Sequence, residues 1–151
     1  MKLAEALVYR SDLDTAINQL KERLVQNSII QDGTNPAEAP EALFEELDSK
    51  MKIYEDLVVR INSSNLTVKT ESGLTLTHAI AKRDSLQRLH GILNAVCNNA
   101  NNLTDRYSRS EILKVSTVDI PSLRKKIDGI AKERRGIECE IQAANWTNEL
   151  V

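Results

Sequence analysis

Two arginines, Arg10 and Arg134, fall at positions where the surrounding sequence spaces aliphatic side chains alternately three and four residues apart. A guanidinium withdrawn from water in such a stripe without a partner costs several kcal/mol. Each must therefore meet a carboxylate, an anion or water. Three readings stay open: the side chain reaches the rim and pairs with a glutamate on a flanking helix position, it sets the register of an assembly, or it lines an anion site between helices. A second group is Asp105-Arg106-Tyr107-Ser108-Arg109-Ser110-Glu111. Its two arginines beside a tyrosine have the chemistry to grip a carboxylate or phosphate, and it falls in a connecting segment, where binding residues concentrate. The opposing reading is a connector whose charges pair among themselves. The one tryptophan, Trp146, either anchors a chain end or recognises a ligand, since the indole joins a large apolar body to a single N–H donor.

Other chemistries lack their residues. The five glycines are scattered singly, so no loop cradles a phosphate. His78 and His90 are the only histidines and belong to no His-Glu-x-x-His or paired Glu-x-x-His pattern. Glu41, Glu45 and Glu46 crowd the start of a helix, where the macrodipole favours them, and read as a solvated face. No serine has a nucleophile-elbow context. Cys97 and Cys139 are far apart and read as reduced helix residues. The reading leans away from an enzyme and expects no cofactor and no metal. A net charge of -2 gives no electrostatic case for nucleic acid. No apolar run approaches about 18 residues and no apolar leader precedes the first helix, so a cytoplasmic location is expected. On that expectation the Asn-x-Ser/Thr sequons at Asn62, Asn65, Asn102 and Asn145 carry no meaning.

The elements that would hold these groups are helical. Aromatics make up 3% of the 151 residues, which argues against a sheet sandwich and for aliphatic helix packing. The first helix spans about 2–27, with the seam Leu3, Ala6, Arg10, Leu13, Ile17, Leu20, Leu24. The second spans 40–65 from Pro40, with Phe44, Leu47, Met51, Tyr54, Val58, Ile61, Asn65. The third spans 75–102 with Thr75 as N-cap and Leu86, Leu89, Leu93, Val96, Ala100, Leu103 as seam. The fourth spans 120–145, capped by Asp119, with Leu123, Ile127, Ile130, Arg134, Ile137, Ile141, Ala144. Segments 66–70 and 112–118 are β-branched and are expected to pair as two short strands. The expectation is a single, mainly α domain over 1–151: an elongated antiparallel bundle or helical hairpins with four long helices, each roughly 37 Å long, and a small two-stranded β element.

Several short stretches carry a resemblance. They are Gln31-Asp32-Gly33, Ile61-Asn62, Ser72-Gly73-Leu74-Thr75-Leu76-Thr77 leading into Ala79-Ile80-Ala81-Lys82-Arg83-Asp84, Asp105 to Ile112, Ser116-Thr117-Val118-Asp119, and Ile141 to Thr147. Taken together the chain resembles a small bacterial family labelled septicolysin-like, over essentially its whole length. The label implies a thiol-dependent, membrane-acting cytolysin, and the resemblance brings no catalytic residue with it. Candidate anion or partner contacts are then Arg10, Arg134, Arg83, Asp105, Arg106, Tyr107, Arg109, Glu111 and Trp146. The leading expectation is a cytosolic, self-associating interaction or scaffold module, because four seams exceed what one slender hairpin can bury. The alternatives are the cytolysin, with a membrane as partner, and an anion-binding protein or enzyme with an unknown small-molecule ligand.

Overall fold

The computed structural model describes residues 1–103 and 113–151. The protein is mainly α, with four helices among the described residues: α1 (Leu3–Gln26), α2 (Pro40–Thr67), α3 (Leu76–Asn101) and α4 (Ile120–Thr147). Their starts follow the expected capping chemistry. The Glu5 carboxylate accepts the Lys2 amide N–H at 2.7 Å in front of α1, and Pro40 opens α2. The Thr75 hydroxyl accepts the His78 amide at 3.3 Å, and Asp119 Oδ1 accepts the Ser122 amide at 3.3 Å. The three side-chain acceptors each take a backbone N–H at a helix start that has no carbonyl partner within its own helix, and Pro40 has no N–H to satisfy.

The chain divides into two compact units. Unit 1 comprises Met1–Val68 and Ala143–Val151. Within it α1 packs on α2 around Leu3, Ala6, Leu13, Leu20, Leu43, Leu57 and Ile61. The α1 stripe follows its expected seam. The α2 stripe follows its own at Leu47, Tyr54 and Ile61, but Leu43, Leu57 and Ser64 are buried in place of Phe44, Val58 and Asn65, so the packed face is turned part-way round the helix from the expected one. The α1–α2 connection is fixed by side chains. Arg23 pairs with Glu38 through one edge of its guanidinium, Nε donating to Oε2 at 3.0 Å and Nη2 to Oε1. The Glu38 amide donates to Asn27 Oδ1 at 3.0 Å. The hydrogen bond from Arg23 holds the Glu38 carboxyl below its ordinary pKa. The segment after α4 runs beside both helices: the Leu3 amide donates to the Asn148 carbonyl and the Leu150 amide to that of Met1. The buried Ser64 hydroxyl accepts the Val151 amide at 3.0 Å.

Unit 2 comprises Lys69–Gln142. Its buried side chains are Leu76, Ala79 and Cys97 from α3 and Ile127, Ile130, Ile137 and Ile141 from α4. The cross-helix pairs Gln87–Arg134 and Arg83–Glu138 step in opposite directions along the chain, so α3 and α4 run antiparallel. The α4 seam is the expected one. On α3 the stripe is Leu76, Ala79, Arg83, Leu86, His90, Leu93, Cys97, Ala100, and Leu89, Val96 and Leu103 face solvent.

The two-stranded β element is not present among the described residues. Leu66 and Thr67 are the last turn of α2, where the Thr67 hydroxyl bonds back to the Ser63 and Ser64 carbonyls at 3.1 and 3.2 Å. That local bond, with the packing of the preceding turn, overrides the β preference of the residue types. Residues 69–75 then form a tight turn held by the Thr70 amide on the Leu74 carbonyl at 2.8 Å, with an isolated bridge from Lys69 to Thr75. Gly73 supplies the positive φ of 84° that this turn needs. Residues 113–118 carry no strand either; the Ser116 hydroxyl turns the chain by donating to the Val118 carbonyl at 2.9 Å. Residue 112 lies outside the described residues.

Leu20, 1% exposed between α1 and α2, should show the cost of a cavity in unit 1. Leu20→Ala is expected to lower stability by about 2–5 kcal/mol, while Val25→Ala on the exposed face should change it by less than about 0.5 kcal/mol. Urea denaturation followed by circular dichroism measures both.

Candidate functional site

The side chains in unit 2 with the strongest polar character converge where the α3 and α4 stripes are both interrupted by arginine. Arg83 and Arg134 occupy seam positions on helices that run antiparallel, where Arg83 reaches Glu138 and Arg134 reaches Gln87. Between them is an open groove of about 440 Å3, lined by Arg83 and Gln87 from α3 and Arg134, Arg135, Glu138 and Cys139 from α4.

Arg83 is held on two sides. Its Nε donates to Asp84 Oδ1 at 2.9 Å and its Nη1 to Glu138 Oε2 at 3.2 Å. The bond to Asp84 is the main cause that raises its pKa above the ordinary value, partial burial opposes it, and Glu138 adds to the rise. Glu138 in turn accepts the Gln142 side-chain amide at 2.8 Å. That bond, with those from Arg83, keeps its carboxyl below the usual range despite burial. Arg134 has a weaker hold, with Nη1 donating to the neutral Gln87 Oε1 at 3.4 Å. Arg135 is exposed and makes no ion pair or hydrogen bond among the described residues. The groove lining thus holds three guanidiniums and one carboxylate, with Asp84 answering Arg83 from outside it. Cys139 is exposed on the groove and Cys97 is buried; both thiols are free.

A second polar fastening lies toward the Lys69–Thr75 turn. Glu140 Oε2 accepts both the Ser72 hydroxyl at 2.6 Å and its amide at 3.1 Å. These bonds lower the Glu140 pKa, the hydroxyl contributing most. They also pin the turn to α4.

The remaining candidates disperse. Arg10 is half-buried on α1 in unit 1, with no hydrogen bond or ion pair among the described residues. Trp146 is 59% exposed on the last turn of α4, and its neighbour Asn145 is the buried one, so the indole does not anchor the chain end. Asp105, Arg106, Tyr107, Arg109 and Glu111 lie outside the described residues. Gln87, Arg135, Glu138 and Cys139 were not among the candidates. Extending the α3 stripe backwards by its own alternation from Leu86 to Arg83 would have placed a second arginine on the face that meets α4 and drawn in its neighbours. No group of three or more His, Cys, Asp or Glu side chains forms a metal-binding cluster among the described residues. Nor, among them, is any helix long and apolar enough to cross a membrane.

Comparison with known proteins corrects the resemblance to a septicolysin-like family. The model that matches the chain, over residues 10–150, is that of a family of unknown function (DUF6847). A solved structure, described as a functionally unknown conserved protein from Corynebacterium diphtheriae, is 37% identical and superposes with a TM-score of 0.88, over 100% of this chain and 99% of that one. No curated protein matches. The stretches Ser72–Asp84 and Ser116–Asp119 owe their recognisable look to the Thr75 and Asp119 caps and the Gly73 turn, which helical chains of many kinds require.

The sign of the pH dependence follows from Glu138 and Glu140. Their folded pKa values lie below the ordinary value of about 4.3, so the unfolded chain binds more protons in the window just below it. Their contribution is complete above that value and disappears as pH falls through the folded ones. Glu138→Gln is expected to flatten the fall of unfolding free energy between about pH 5 and pH 3. Urea midpoints across that range test it; parallel slopes for the two proteins would contradict the assignment.

Proposed function

This chain belongs to the family of unknown function DUF6847, and we propose that it acts as a helical interaction module that pairs with a second copy of itself through α2. The supporting observation is that α2 carries two apolar stripes. One, Leu43, Leu57 and Ile61, is spent on the core of unit 1. The other, Phe44, Met51 and Val58, repeats every seven residues; Phe44 is 57% and Met51 46% exposed, and neighbouring Val59 is 58% exposed. Met51, Tyr54, Val58 and Val59 line a shallow groove of about 590 Å3 whose edge is Asp48, Lys52 and Glu55.

An exposed stripe with heptad spacing on a regular helix suits another helix of the same spacing. A second copy brings that helix at equal concentration, and a two-fold pairing lets one patch complement itself. Lys52 between Asp48 and Glu55 gives the edge both signs of charge, which self-pairing can match. Polar side chains at the stripe would leave the unit 1 core untouched.

Sedimentation equilibrium decides the matter. The protein is expected to be dimeric at micromolar concentration. Met51→Glu with Val59→Glu should weaken pairing by about tenfold or more, roughly 1.4 kcal/mol, with unchanged helicity. A single-copy mass for the unaltered protein would end the proposal.

A further inference from the structure

We propose that the α3–α4 groove binds a small organic oxyanion, with Arg134 and Arg135 as its cationic contacts and Arg83 and Glu138 as the fixed wall. The division of labour follows from which charges are already answered. Arg83 has Asp84 and Glu138 within hydrogen-bond distance, and Glu138 has Arg83 and Gln142. Those four groups form a closed network whose members satisfy one another. Arg134 and Arg135 are left over. Arg134 is half-buried at a seam position, and its hydrogen-bond partner is a neutral amide at 3.4 Å. Arg135 is the next residue on the same helix, is exposed on the same groove and has no partner among the described residues.

Beyond the Gln87 amide, Arg134 feels the Glu138 carboxylate only through space, and Glu138 is already bonded to Arg83 and Gln142, so the Arg134 charge is incompletely compensated where solvent screening is reduced. Both guanidiniums carry forked donors suited to the paired oxygens of a carboxylate or phosphate. Gln87 turns its carbonyl oxygen to Arg134, which keeps its amide NH2 available as a further donor. The groove volume of about 440 Å3 lies in the range of small-molecule sites. The aliphatic stems of the arginines and of Gln87 give its walls an apolar surface against which the body of an organic anion can lie. This reading does not depend on pairing through α2, which belongs to unit 1.

The two cysteines supply an internal gauge. Cys139 lines the groove and is exposed, while Cys97 is buried elsewhere in the same unit. Titration calorimetry with citrate and with inorganic phosphate, at ionic strength held constant with chloride, is paired with the rate of Cys139 alkylation. The expected result is saturable binding of at least one anion, with slower alkylation of Cys139. Arg134→Gln combined with Arg135→Gln should weaken binding about tenfold or more, roughly 1.4 kcal/mol. Arg124→Gln, an exposed α4 arginine outside the groove, should not. Stronger citrate binding assigns the site to carboxylates, and stronger phosphate binding assigns it to phosphate esters. Absence of saturable binding by both anions overturns the proposal. So does equal weakening by Arg124→Gln, which would mark general charge attraction, or an alkylation rate that the bound anion does not change.

Discussion

Every helix in this protein has to bury a stripe of side chains that alternates steps of three and four residues, and the fold depends on how those stripes are shared out. An α-helix advances 3.6 residues per turn, so such a stripe stays on one face long enough to lie along an antiparallel neighbour. In unit 1 the stripes of α1 and α2 are apolar except at half-buried Arg10 and buried Ser64. In unit 2 the same geometry brings Arg83 and Arg134 to one groove of the α3–α4 contact, where burial would be costly if it were complete. The structure resolves that conflict by leaving the groove half open to solvent and answering Arg83 with Asp84 and Glu138. The bonds across this contact also oppose sliding of one helix along the other, because a shift would separate Arg83 from Glu138 and Arg134 from Gln87.

The connections are fastened by the same economy of paired polar groups. Arg23, Glu38 and Asn27 form a small network at the α1–α2 turn. Glu140 takes both the hydroxyl and the amide of Ser72. Ser64, fully buried on α2, uses its hydroxyl to accept the Val151 amide. In each case a short side chain or a carboxylate satisfies backbone N–H groups that a helix or strand would otherwise have supplied with partners.

Much of this was legible in the residues. The four helices were, because their apolar spacing is long and regular, and so were the caps at Thr75 and Asp119. The exact faces of α2 and α3 were not. Phe44, Met51, Leu89 and Val96 are as apolar as the residues that are buried, and spacing cannot say which of two overlapping stripes meets a neighbour. The strand-like run at 66–70 misled for a different reason: the Thr67 hydroxyl has two accessible helix carbonyls, a partner that composition does not reveal. At the groove, Arg134 and Arg83 were visible as candidates, but their juxtaposition depends on the α3–α4 register. Glu138 and Gln142 resemble any other surface residues until that register is known.

The division of the chain has a consequence for how the molecule comes together. Unit 2 is one continuous stretch, Lys69–Gln142, whereas unit 1 joins Met1–Val68 to Ala143–Val151. Bonds such as Leu3 to Asn148 and Ser64 to Val151 close loops of many tens of residues, and loop closure of that span is paid in chain entropy before any contact rewards it. During synthesis, α1 and α2 emerge well before the segment that completes their packing. Unit 2 has all of its own sequence by Gln142. The amino-terminal half is made first and finished last.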